Sequence, residues 1–175
     1  ATDKGYNSTR DFAKFKASYH DIDIIYLSFE ELMKLYNKDM KSDKLSQVRD
    51  FYCMGCFTGL RFSDLSKLHL ANISDDHIVI SIKKTKTQNH AIKLNKYAKE
   101  ILNKYKGTIY EPLPVISSQK FNEYIKDCCE LAEINQSFTI HWFVGNQKKS
   151  ITQPKHRFIT SHTARKTFIT NSLLL

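Results

Sequence analysis

Apolar residues along this chain recur mostly at helical spacing and switch to a spacing of two in only a few places. That alternation constrains the fold more than any other feature. The stretch "HIVISIKKTKTQNHAIKL" puts Ile78, Ile80 and Ile82 on one face of an extended segment, and Ile92 and Leu94 on one face of the next. A polar turn separates them, which predicts an antiparallel β-hairpin. A second hairpin is expected from "SFTIHWFV" and "KHRFIT", split by "GNQKKSITQP". Everything else with periodicity is helical, so the expected class is α+β: a mostly helical domain with small antiparallel β-hairpins.

The helices carry their own start and stop signals. Ser28 followed by Glu31 forms a capping box ahead of Leu32, Leu35 and Tyr36. A second helix is expected from about Gln47 to Thr58, ended by Gly59 as C-terminal glycines end helices. Ser63 is expected to cap a short third helix over "DLSKLHL", and Asn95 to cap a fourth carrying Tyr97, Ile101, Leu102 and Tyr105. A helix from about Gln119 to Glu133 should bury Phe121, Tyr124, Ile125, Cys128 and Leu131, and a last one begins near Ser161. Residues 1–20 are polar and aperiodic and read as an arm or linker; 21–175 form the domain.

No apolar stretch approaches the ~20 residues that span a bilayer, and "ATDKGYNSTR" is not a signal peptide. The expected setting is soluble and cytoplasmic, without a membrane partner. Lys and Arg number 27 against 18 Asp and Glu, a net charge of +9. That surplus favours a polyanionic partner, nucleic acid above all, although a solvated lysine-rich surface gives the same count. The four cysteines are Cys53, Cys56, Cys128 and Cys129. "CMGC" has the spacing of a zinc or redox pair, but it lies inside the apolar run "VRDFYCMGCFTGL" and faces only two adjacent cysteines. Buried free thiols are expected, with no metal and no cofactor; a zinc-stabilised interaction domain is the competing class.

Three short stretches could carry chemistry. In "FTGLRFSDLSKL", Arg61 sits in the turn after Gly59, near a helix start where anions bind, or else pairs with Asp64 on the surface. "KKTKTQNH" places lysines at a hairpin tip. His162 and Arg165 stand at i, i+3 on the last helix, with Cβ atoms roughly 5–6 Å apart. Each alone is weak. Brought to one point, two arginines, a lysine and a histidine suit phosphoryl transfer on a nucleic-acid backbone. Guanidinium forks match the charge that the equatorial phosphate oxygens gain, without a metal.

The ordered set "TGLR", "SDL", a hairpin lysine and "HTAR" closely resembles the tyrosine recombinase (phage integrase) family, and integrases of mobile elements in particular. "YLSFEELMKLY" resembles that family's opening catalytic-domain helix, and the likeness runs from about Ile25 to the end. The resemblance implies an integrase-like catalytic domain that cleaves and rejoins DNA strands through a 3′-phosphotyrosyl intermediate. Arg61 and Arg165 would clamp the scissile phosphate, His162 would be the second-box histidine, and Asp64 a supporting acid. Lys86 would be the general acid, with Lys84 the alternative in an ambiguous register; Lys83, Lys84, Lys86 and Lys166 would contact DNA. The resemblance also implies a tetramer on double-stranded DNA for the full-length protein. It leaves a later histidine or tryptophan and the nucleophilic tyrosine unmatched in this sequence. The expectation is therefore a partial catalytic domain, monomeric by itself, that binds DNA without cleaving it; a non-catalytic DNA-binding protein of the same fold is the alternative.

Overall fold

The computed structural model describes residues 24–82, 87–145 and 147–174. Its centre is a helix with almost no solvent face. The first helix, α1 (Phe29–Asn37), begins as expected: Ser28 accepts the Glu31 N–H at 3.2 Å and Glu31 accepts the Ser28 N–H at 2.8 Å. The second, α2 (Asp43–Thr58), starts four residues before the expected Gln47. Residues 43–46 form its first turn, where Leu45 is the one apolar residue, too little for hydrophobic periodicity to register. From Val48 to Thr58 every residue but Arg49 is buried. A helix apolar on all sides belongs in a core, and α2 packs against α1 and the three later long helices.

Gly59 closes α2 in the left-handed conformation, φ +69°, with its N–H on the Gly55 carbonyl. The short α3 (Phe62–Leu65) follows, then a 3₁₀ turn over Leu68–Leu70. Ser63 does not cap α3; Arg61 holds the cap position by backbone alone, and Ser63 lies inside the helix. The correction is physical: Phe62, ahead of Ser63, packs its ring against Phe51 and Phe121 at 5.1 and 5.2 Å, and the helix starts where that anchor sits.

A three-stranded antiparallel sheet of β1 (Asn72–Ile73), β2 (His77–Ile82) and β3 (Thr87–Lys93) contains the expected first hairpin, with a register shift between Ile80 and Ile82. Ile78 and Ile80 are buried. Asn95 then caps α4 (Lys96–Tyr105) through the Ala98 N–H at 2.9 Å. Helix α5 (Ser118–Leu131) buries Phe121, Ile125, Cys128 and Cys129, while Leu131 is exposed, contrary to expectation, because the stripe drifts off the core at its last turn.

The second hairpin is present with a different return strand. Strand β4 (Ser137–Val144) pairs with β5 (Gln147–Pro154), and "KHRF" is a 3₁₀ turn. The return strand thus falls within the segment expected to be loop. Cross-strand hydrogen bonding organises it without an alternating pattern, since all eight β5 residues are exposed. The last helix is α6 (Ser161–Leu174). None of the described helices is long and apolar enough to cross a membrane.

Two internal features tie α2 to its neighbours. Asp50, buried in α2, pairs with Arg49 at 2.8 Å and with Lys104 of α4 at 2.6 Å, and accepts the Tyr105 hydroxyl at 2.7 Å. Removing one partner of a buried ion network leaves uncompensated charge. Asp50→Ala is expected to lower stability by about 3 kcal/mol in urea denaturation, a loss that Lys104→Ala, on the solvent side, should not approach.

The four cysteines are buried free thiols in α2 and α5, as expected. Burial pushes the Cys128 thiol up to about 12 and lifts Cys53, Cys56 and Cys129 as well. Among the described residues, no group of three or more His, Cys, Asp or Glu side chains could hold a metal ion. At neutral pH these thiols are protonated in the fold and in the unfolded chain alike, and folding stability is at its full value. As pH rises from 9, the ordinary thiol value, toward about 12, they ionise in the unfolded chain but not in the fold, which favours unfolding. Melting temperature should therefore fall steadily above pH 9. A thiol reagent at pH 8 should label none of the four rapidly in the native protein and all four in denaturant.

Candidate functional site

The site is assembled where α6 crosses the C-terminal end of α2. Close approach there depends on two glycines. A Cβ on Gly55 would lie 3.1 Å from the Ala164 Cβ and 3.3 Å from a Leu65 methyl; one on Gly59 would lie 2.5 Å from the Phe168 ring. The face of α6 that meets α2 is correspondingly small: Thr163, Ala164 and Thr167 are its buried residues. Their hydroxyls are used. The Tyr52 hydroxyl and Thr163 Oγ1 are 2.9 Å apart, and Thr167 Oγ1 accepts the Leu27 N–H at 3.0 Å. At the start of α6, Asn122 of α5 accepts the Ser161 N–H at 2.8 Å.

This packing sets the HxxR box beside the turn that carries Arg61. Arg165, half-buried, donates from Nη1 to the Gly59 carbonyl at 2.7 Å, a contact between residues 106 apart in sequence. Among the described residues one N–H of this five-donor fork is used, which leaves the others for a ligand. Arg61 lies two residues beyond Gly59, and its side chain makes no hydrogen bond or ion pair among the described residues. The alternative of an Arg61–Asp64 surface pair is therefore not what forms. His162, one turn before Arg165, is exposed, and Lys166 is half-buried. Helix α3 has only four residues, so any pull on an anion here comes from the guanidinium groups, not from a helix dipole.

Asp64 is 6% exposed, and its Oδ2 has no hydrogen-bond partner among the described residues. Its backbone is fixed by its N–H on the Arg61 carbonyl at 2.9 Å. The residue borders a cleft of about 560 Å³ between α3 and the first sheet, lined also by Lys67, Asn72, Ser81 and Asn89. The opposite wall is the hairpin whose tip carries the lysines. Lys83, Lys84 and Lys86 themselves lie outside the described residues. The structure thus brings Arg61, Asp64, His162 and Arg165 into one neighbourhood. Sequence reading missed the second-layer groups Tyr52, Thr163 and Thr167; a Thr-x-x-x-Thr spacing opposite Gly-x-x-x-Gly was the available signal.

An α+β domain, mostly helical with small antiparallel sheets, is the class these elements define. No family model and no curated protein sequence matches the chain. Among solved structures it is similar to a lambda integrase (75–356) dimer bound to a COC′ core site, with a TM-score of 0.56 and 19% identity. The match covers 98% of this chain and 66% of that one, so the chain spans just under two thirds of that structure's length. The likeness establishes an integrase-like catalytic-domain fold.

The left-handed conformation and the ring contact at Gly59 together make that position intolerant of a side chain. Gly59→Ala is expected to lower stability by about 2 kcal/mol. It should also shift the carbonyl that holds Arg165, which a Gly107→Ala control, in open space at φ +74°, would not do. Thermal unfolding of both variants, each with and without duplex DNA, separates backbone strain from damage to the site.

Proposed function

We propose that this chain is the core of the catalytic domain of a tyrosine-type site-specific DNA recombinase, akin to integrases of mobile elements. The observation that carries this reading is the Arg165 contact to the Gly59 carbonyl. It joins "TGLR" to "HTAR" across 106 residues, on a fold similar to that of a DNA-bound integrase.

In this reading, Arg61 and Arg165 grip the non-bridging oxygens of the scissile phosphate and stabilise the charge that grows on them in the transition state. A tyrosine hydroxyl attacks phosphorus in line, forming a P–O bond to the phenol as the bond to the 5′-oxygen breaks. The tyrosine proton leaves through His162 or solvent, and the hairpin lysine, Lys86 with Lys84 the alternative, protonates the departing 5′-oxygen. Rejoining is the reverse, with a 5′-hydroxyl of the partner duplex as nucleophile. Bond energy is retained in the phosphotyrosine, so no cofactor is needed. Asp64 supports the arginine turn, and Lys83, Lys84 and Lys166 bind the DNA backbone. The assembled protein would act as a tetramer on two duplexes.

The attacking tyrosine is not assigned within this chain. Tyr52, bonded to Thr163 inside the box, is fully buried, and burial raises its pKa well above the usual phenol range. Residues 1–175 alone are accordingly proposed to bind duplex DNA without cleaving it.

A nicked suicide substrate bearing the element's own recombination site, incubated with the complete gene product, tests the reading. The expected result is a denaturant-stable protein–DNA adduct whose rate of formation falls roughly 10²-fold or more in Arg61→Ala and in Arg165→Ala. Tight binding without any adduct in the complete protein would favour a non-catalytic DNA-binding relative instead.

A further inference from the structure

The ribbon of β4 and β5 serves none of the roles above, and it is unusual in its charge. Asp and Glu are absent from residues 134–175, whereas six Lys or Arg occur there: Lys148, Lys149, Lys155, Arg157, Arg165 and Lys166. The first 133 residues contain 21 Lys and Arg against all 18 acids, so this last stretch supplies +6 of the net +9. Lys155 is neutralised by Glu31 at 2.6 Å, and Arg165 is committed to the site. Lys148 and Lys149 have no ion-pair partner among the described residues.

The ribbon's geometry makes those two lysines prominent. Its eight-residue strands pair in unbroken register, which gives a length of roughly 27 Å at 3.4 Å per residue. The root is anchored: Phe138 meets Phe158 with ring centroids 6.2 Å apart, and the Lys155 N–H reaches the Gln136 carbonyl at 2.8 Å. Ile140 also packs against the core, whereas every β5 residue and, toward the tip, Trp142 and Val144 are exposed. An isolated two-stranded ribbon is marginal in water, so a projecting one is best accounted for by a surface that it meets. Directly paired residues share a face. One face carries Ile140 with Ile151, Trp142 with Lys149 and Val144 with Gln147; the other carries Thr139 with Thr152, His141 with Ser150 and Phe143 with Lys148. Trp142, Val144 and Ile151 are 41%, 54% and 40% exposed.

We propose that the β4–β5 ribbon is a second contact for duplex DNA, separate from the arginine site, with Lys148 and Lys149 against backbone phosphates and Trp142 against a groove wall. The inference rests on the recombinase reading for its partner. A polyanion neutralises lysines on both faces at once, whereas a second copy of this chain would bring like charges together. A two-stranded ribbon is also an element that the ~12 Å major groove admits.

Trp142 is the single tryptophan of the chain, so its fluorescence reports the ribbon directly. The probe is a fluorescein-labelled 30-base-pair duplex of mixed sequence, titrated with residues 1–175 across a salt series, with anisotropy and tryptophan emission followed together. The expected results are a change in Trp142 emission that saturates with the anisotropy, and a salt slope lowered by about 2 in Lys148→Ala/Lys149→Ala. The charge-matched control Lys41→Ala/Lys106→Ala should keep the wild-type slope. Trp142→Phe should bind more weakly at every salt concentration with an unchanged slope. DNA binding with silent Trp142 emission and a wild-type slope in the ribbon variant would overturn the proposal while leaving the recombinase reading intact. Failure of the wild-type chain to bind the duplex even at low salt would overturn both. Trp142 emission that shifts with protein concentration in the absence of DNA would assign the ribbon to a second copy of the chain instead.

Discussion

The approach of α6 to α2 across Gly55 and Gly59 is the contact on which the rest of this molecule depends. Side chains at either position would hold the helices apart: Gly55 meets Ala164 and Leu65, and Gly59 meets the ring of Phe168. A glycine within a helix costs about 1 kcal/mol relative to alanine. Here the absent methyl lets Thr163 reach the Tyr52 hydroxyl and Thr167 reach the Leu27 N–H, so that α6 is fastened by buried hydrogen bonds as well as by apolar contact. The Arg165 side chain, carried on that helix, then closes onto the Gly59 carbonyl. Packing and site geometry are thus one arrangement.

Around this contact the domain is built to hold the arginine turn still. Phe62 anchors α3 against Phe51 of α2 and Phe121 of α5, three rings within 5.3 Å of one another. Asp50 binds α2 to α4 through Lys104 and Tyr105. Among the described residues, Asp64 Oδ2 and His156 Nε2 are buried without a hydrogen-bond partner. A buried acceptor without a donor costs about 1–3 kcal/mol, and the position of Asp64 beside the cleft facing the first hairpin marks where a donor would be welcomed. The ribbon of β4 and β5 stands apart from this core. It is held at its root by Phe138 and Phe158 and is free of acidic residues.

Much of this was legible in the order of residues. Capping at Ser28 and Asn95, the stop at Gly59, the first hairpin and the class of fold all follow from local rules, because each involves groups within a few positions of one another. Where local rules failed, a distant contact had intervened. Ser63 is a good capping residue displaced by the Phe62 anchor, and the β5 strand, exposed at every residue, has no buried face to impose an apolar alternation. In α6 the large apolar residues Ile169, Leu173 and Leu174 are exposed, and the buried face is Thr163, Ala164 and Thr167.

By itself, then, the sequence determined the residue types available for a phosphate clamp and the helices and turn that bear them, because capping, periodicity and glycine conformation act over short range. Only the tertiary structure decided that Arg165 meets the turn of Arg61, that Arg61 and Asp64 do not pair, and that a ribbon with free lysines projects from the domain. Those outcomes depend on how closely two helices a hundred residues apart can approach and on which long-range contacts satisfy each polar group. A one-dimensional pattern does not encode these distances.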